Sequence, residues 1–274
     1  MKKLTFSTAI ALFFTLFSTV YMFTAKAQDT ENSVEGRIPT PNNYTRTTLA
    51  DNSFGAFLRA MLLLPKGAPI LDYDGDEIYN QSEHIGIINY DVGKKDLQQC
   101  ADAAIRLFAE YLWEQKRFDE ITFHFTSGHA YAWNQYKKGI RPIVSGNKVT
   151  FKTISSPNST YAAFRKYLDY VYMYAGTISI NKEMKKVSTS DKVKIGDVIV
   201  TPGSPGHAVI IIDEAVNNNG DKIFLLAEGY TPAQSIHILK NPFDTALQNW
   251  YFINNEGETE TARYTFYTTN IRRF

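Results

Sequence analysis

The sequence predicts an α+β protein, and three patterns carry that prediction. Segments with helical spacing, SFGAFLRAMLLL at 53–64 and TYAAFRKYLDYVYMYAG at 160–176, lie before the chain's last third. From Lys192 onward, short apolar, β-branched runs take over: VKIGDVIVTP, HAVIIIDEAV and KIFLLAEGY. The tract NNNGD at 217–221 is a natural hairpin turn between the second and third of these runs, which makes them antiparallel neighbours. Helices first and an antiparallel sheet afterwards is the order of an α+β domain.

Taken from the N-terminus, Lys2 and Lys3 precede an apolar run from about Leu4 to Phe23, which closes on Ala25-Lys26-Ala27. A basic start, an apolar stretch and a small-x-small exit predict a cleaved signal peptide over residues 1–27. The mature chain is then periplasmic or secreted, with no membrane anchor. Polar residues 28–52, including PTPNN, read as a flexible entry segment. Ser53 caps the first helix, which stops at Pro65-Lys66-Gly67. HIGIINYDV at 84–92 reads as a strand, and Asp96 then caps a helix running to about Lys116. ITFHFT at 121–126 alternates as a strand and ends at Ser127-Gly128, and the second long helix follows the SSPNS turn. No linker-like composition divides the remainder, so residues 53–274 are expected to form one domain.

Charge excludes two partner classes. The chain holds 29 basic and 28 acidic residues, and without residues 1–27 the balance is 26 to 28. That is no electrostatic footprint for nucleic acid or for an anionic membrane. The chain has one cysteine, Cys100 in KKDLQQCADA, so no internal disulfide forms. Cys100 is a buried filler, an intermolecular partner or a working thiol. Its position early in a helix favours thiolate, because the unpaired amides and positive dipole end stabilise negative charge. Against this, Cys100, Ala104, Leu107, Phe108 and Tyr111 also make a core stripe at helical spacing.

A second segment bears on the thiol. In IGDVIVTPGSPGHAVIIID, at 195–213, Pro205-Gly206 turns the chain and His207 opens the next strand, a rigid place for a general base. Together with IFLLAEGY, this stretch resembles the histidine-bearing half of the NlpC-type cell-wall cysteine peptidases and amidases, relatives of papain. The resemblance implies a papain-like core with an N-terminal helix-bearing elaboration and a C-terminal antiparallel sheet. It also implies a helix-borne nucleophile, Cys100, followed in the chain by its base, His207. The polar residue that orients the base then falls on Glu228, with Gln234 as second choice. Around the cysteine the sequence departs from the Asp-Cys-Ser-Gly pattern of those enzymes, reading Gln98-Gln99-Cys100-Ala101-Asp102. Gln98 or Gln99 is the candidate oxyanion donor. From RIPTP to the terminal RRF, the chain also resembles a family of exported Gram-negative proteins of unknown function.

The expected activity is hydrolysis of an amide in cell-wall peptides, with a peptidoglycan-derived peptide or glycan as the ligand and no cofactor. The rival is a non-catalytic periplasmic glycan- or peptide-binding protein that uses the aromatic segment AYAWNQYKKGIRP, with Trp133, as its groove. LDYDGDEIYNQSE at 71–83 places acids at four positions of a calcium loop, but Glu77 stands where the turn glycine is needed, so an acidic turn without metal is expected. The five histidines never pair at metal-ligand spacing, and no metal is expected on them.

Overall fold

The computed structural model describes residues 31–189, 192–253, 257–267 and 270–274; the expected signal peptide lies outside them. The chain opens with α1 (Val34–Arg37), β1 (Tyr44–Arg46), α2 (Phe54–Ala60) and β2 (His84–Ile87). A long helix, α3 (Cys100–Glu114), leads into the hairpin β3 (Thr122–His124) and β4 (Ala130–Ala132), then α4 (Trp133–Tyr136). A second hairpin, β5 (Ile140–Ser145) and β6 (Lys148–Thr153), precedes α5 (Tyr161–Tyr174), α6 (Thr177–Glu183) and β7 (Lys185–Lys186). The last part is β8 (Val198–Thr201), β9 (His207–Asn217), β10 (Lys222–Glu228), β11 (His237–Leu239), β12 (Thr259–Glu260), β13 (Thr265–Phe266) and β14 (Ile271–Arg273).

The main sheet runs β2-β11-β10-β9-β8-β14-β7, with β1 pairing the far end of β9, and its pairings are antiparallel. The expected hairpin is there: Asn217 N–H donates to the carbonyl of Asp221, and the strands pair from Lys222 opposite Val216. Strands β9 and β10 are buried along nearly their whole length, which is why both read as continuous apolar runs. Helix α3 packs across them. Its stripe of Ala104, Leu107 and Tyr111 enters the main core, while Trp113 stacks on Phe164 of α5 at 4.4 Å.

Three expectations change. From Glu31 onward the polar entry segment belongs to the fold. Val34 is fully buried, β1 pairs with β9, and Arg46 reaches Asp213 at 2.7 Å. Helix α2 has the Ser53 cap but ends at Ala60; Leu62 and Leu63 form isolated bridges instead, to Ser33 and Ile88. Asp96 does not cap α3. Gln99 occupies the N-cap in extended conformation, and its backbone N–H donates to Asp102 Oδ2 at 3.1 Å. Asp96 instead accepts from the Ala233 amide at 2.7 Å and from Gln99 Nε2 at 3.0 Å. Among the described residues no helix is long and apolar enough to cross a membrane.

Candidate active site

Because α3 starts later than its sequence suggests, Cys100 is the first residue of the helix rather than the fourth. Cys100 therefore stands at the positive end of the helix dipole, where the first amides have no carbonyl of a preceding turn. Cys100 is partly exposed, Phe108 is half-buried against the core, and Ala104, Leu107 and Tyr111 are buried in it. The core stripe thus runs from Ala104 downward, with Cys100 at its edge.

Two glycines permit this placement. Gly229 follows β10 directly, and a Cβ there would stand 3.0 Å from the Gln99 carbonyl and 3.2 Å from Ala103 Cβ. Its bare backbone lets the start of α3 lie close against the end of the strand. Gly206 closes the turn before β9, where a Cβ would meet Thr177 Oγ1 at 2.6 Å and the carbonyls of Gly203 and Thr201 at 2.7 Å. His207 is thereby held at the first position of β9, paired with Thr201.

Glu228 ends β10 and is fully buried. Its Oε2 lies 2.7 Å from His207 Nε2, and the Cys100 side chain interacts with the same imidazole. Burial opposes a charge on His207, but its hydrogen bonds with Cys100 and Glu228 outweigh that and raise the imidazole from the ordinary 6.5 to about 9. Burial also opposes the Glu228 carboxylate, and contacts with His207 and His237 prevail, holding it at about 2. Glu228 is fully buried and His207 nearly so, while Cys100 is partly exposed and lines the cleft. The cleft encloses about 610 Å³, and Gln99, His207, Tyr230, Tyr264, Tyr172 and Gly206 are among its other lining residues. The Tyr264 and Tyr230 rings pack on His207 with centroids 4.7 and 5.1 Å away.

The other candidates separate. Gln99 lines the cleft, but its Nε2 is committed to Asp96 and its Oε1 accepts from Thr231 at 3.1 Å. Gln98 is 1% exposed, lies outside the cleft lining, and accepts from Arg106 of the α3 interior. Trp133 is buried in an aromatic cluster with Trp113, Tyr136 and Tyr167, so AYAWNQYKKGIRP is strand, helix and core rather than an open loop. Gln234 is buried behind the site, where its Oε1 accepts from Arg263 at 3.3 Å. In the acidic turn, Asp72 Oδ1 accepts from the amides of Asp74, Gly75 and Asp76 at 2.9 to 3.0 Å, a local turn that occupies the carboxylate. Sequence reasoning passed over Tyr230, His237, Arg263 and Tyr264. Tyr230 adjoins Glu228 in LLAEGY and was within reach, whereas nothing in the local pattern of ETARYTF points to Arg263 and Tyr264.

Fold and site together define a mixed α/β protein with a large antiparallel sheet and a Cys–His–Glu constellation in an open cleft. The chain belongs to the family described as Domain of unknown function (4846), whose model matches residues 34–273. No curated protein and no solved structure gives a significant match.

Proposed function

We propose that this protein is an exported cysteine hydrolase that cleaves an amide bond on a papain-like core, with peptides of the cell wall as its first substrate class. The observation that carries the reading is one imidazole, at the cleft, that interacts with the only thiol in the chain and bonds a buried carboxylate at 2.7 Å. A protonated His207 beside Cys100 favours the thiolate, which attacks the substrate carbonyl. His207 then gives its proton to the leaving amine as the C–N bond breaks, leaving a thioester on Cys100. Water, deprotonated by His207, attacks the thioester carbonyl and restores the thiol. Glu228 fixes the ring's orientation and stabilises the imidazolium.

With both glutamines engaged elsewhere, the oxyanion is assigned to the free amides at the start of α3, each worth about 3 kcal/mol in such sites. The cell-wall substrate and the export route rest on the resemblance of PGHAVIIID and LLAEGY to NlpC-type enzymes and on the leader pattern of residues 1–27.

Iodoacetamide labelling of the folded protein tests the dyad. Cys100 is expected to react in the native state, and His207→Asn to slow that reaction about 100-fold near neutral pH, the low end of a proton-transfer contribution. A thiol that stays silent until denaturant is added would sink the hydrolase and leave the binding protein. Peptide release from purified peptidoglycan is expected from the wild type and not from Cys100→Ala. Equal release by both removes that substrate.

A further inference from the structure

Behind the dyad, Glu228 has a second oxygen whose surroundings are incomplete. Oε1 is buried and receives no well-formed hydrogen bond; its nearest donors are His237 Nε2 at 3.4 Å and Arg263 Nε at 3.6 Å. His237 is fully buried with Nδ1 2.9 Å from the Ser235 carbonyl, so that nitrogen carries a proton in either charge state. Its Nε2 lies 3.4 Å from Oε1 and 3.3 Å from Arg263 Nη1. Arg263 is the second partner that faces Oε1.

Arg263 also lies over the ring of Tyr230, 4.2 Å from its centroid, and Tyr230 packs on His207. Tyr264, the residue after Arg263, packs on the same imidazole. Both come from the turn between β12 and β13. It is closed by Thr261, whose amide and hydroxyl donate to the Tyr264 carbonyl at 2.9 and 2.8 Å. The short hairpin thus delivers one cation and one ring to the back and side of the dyad.

We propose that Arg263 is a positioning residue of the Cys100–His207 pair: by holding positive charge against Glu228 Oε1 and seating Tyr230, it limits how strongly the carboxylate draws on His207. The inference rests on the hydrolase reading for its purpose. A carboxylate left wholly to His207 would hold the imidazolium proton too tightly for transfer to a leaving amine, since a proton donor works best with its pKa near the working pH. The groups that face this centre are Cys100 from α3, Glu228 and Tyr230 at the end of β10, His237 from β11 and Tyr264 from the hairpin. His84 of β2 stands edge-on to His237 at 6.2 Å. Arg263 brings a guanidinium to this group, opposite the Glu228 carboxylate.

Imidazole NMR titration of His207 in the full chain, assigned by its loss in His207→Asn, is the test. Arg263→Gln is expected to raise the His207 midpoint by about one pH unit, the scale of a nearby full charge. Arg263→Lys keeps the charge on a looser stem, and its midpoint falls between those of wild type and the Gln variant. In a Glu228→Gln background, Arg263→Gln moves the midpoint by less than half as much, because the path through the carboxylate is gone. A purely structural arginine would lower thermal stability in these variants and leave the midpoint in place, which overturns the proposal. If Arg263→Gln does not fold, the Lys variant decides: a midpoint no higher than wild type overturns it. Native alkylation of wild-type Cys100 is read separately. A silent thiol there removes the hydrolase, while the midpoints still decide what Arg263 does to His207.

Discussion

At the residue scale, the site depends on a competition between desolvation and pairing. His207 and Glu228 are both deeply buried, so each would lose its charge alone; together, with Cys100 on the far side, both keep it. Glu228→Gln keeps the shape and removes the charge. His207 is then expected to titrate well below 9, because burial is no longer balanced by the carboxylate. The folded protein should lose about 2 kcal/mol at pH 7, the scale of a charged hydrogen bond. Urea denaturation alongside the His207 titration measures both effects, and an unchanged midpoint would mean that Glu228 is only a packed acid. Cys100 itself carries no such load. It is partly exposed at a helix start, so Cys100→Ala should leave stability within about 0.5 kcal/mol of wild type, as surface substitutions usually do.

At the element scale, one turn and one buried acid set the geometry. Any side chain at 206 would collide with two carbonyls and a hydroxyl that have nowhere to go. Gly206→Ala is therefore expected to displace the start of β9 and with it His207. Native alkylation of Cys100, measured well below the variant's melting temperature, should be slower than in the wild type. Asp213, fully buried on β9, receives Arg46 of β1 and Arg59 of α2, each at 2.7 Å, and so ties the N-terminal elements to the sheet. Asp213→Asn should cost about 3 kcal/mol, the penalty for breaking a buried pair, seen as a lower urea midpoint with no change in the His207 titration.

The same elements show what the sequence makes legible. β9 and β10 are apolar, β-branched and joined by an Asn-Gly turn, signals that are local and strong; His207 was legible as the start of a strand, whereas Glu228 joined it and Cys100 only through the resemblance carried by PGHAVIIID and LLAEGY. The start of α3 was misplaced because Asp96 is a better intrinsic cap than Gln99; tertiary bonds to Ala233 and Gln99 took the carboxylate instead. Trp133 read as surface because aromatic residues beside Lys137 and Lys138 resemble a loop, and only the packing of α3, α4 and α5 buries it. Arg263 acts across 35 residues of chain, on an acid it meets only once the hairpin has folded.

For the whole molecule, the dyad lies where the N-terminal half of the chain meets the sheet: Cys100 comes from α3, His207 and Glu228 from neighbouring strands. Its His207–Glu228 ion pair joins the ends of β9 and β10, and stability should depend on pH through it. The Glu228 carboxyl is depressed from 4.5 to about 2, so its contribution is complete above 4.5 and fades as pH falls toward 2. The His207 imidazole is raised from 6.5 to about 9, so its contribution is complete below 6.5 and fades as pH climbs through 9. Both are whole only between those limits, and each shift corresponds to about 3 kcal/mol seen from one side of the same interaction. The melting temperature of the wild type should therefore be highest near pH 5 to 6 as far as this pair decides it. His207→Asn should flatten the alkaline decline between 6.5 and 9 while leaving other acid-sensitive groups alone. Parallel alkaline slopes in the two proteins would mean that the ends of β9 and β10 are held together without the charges of His207 and Glu228.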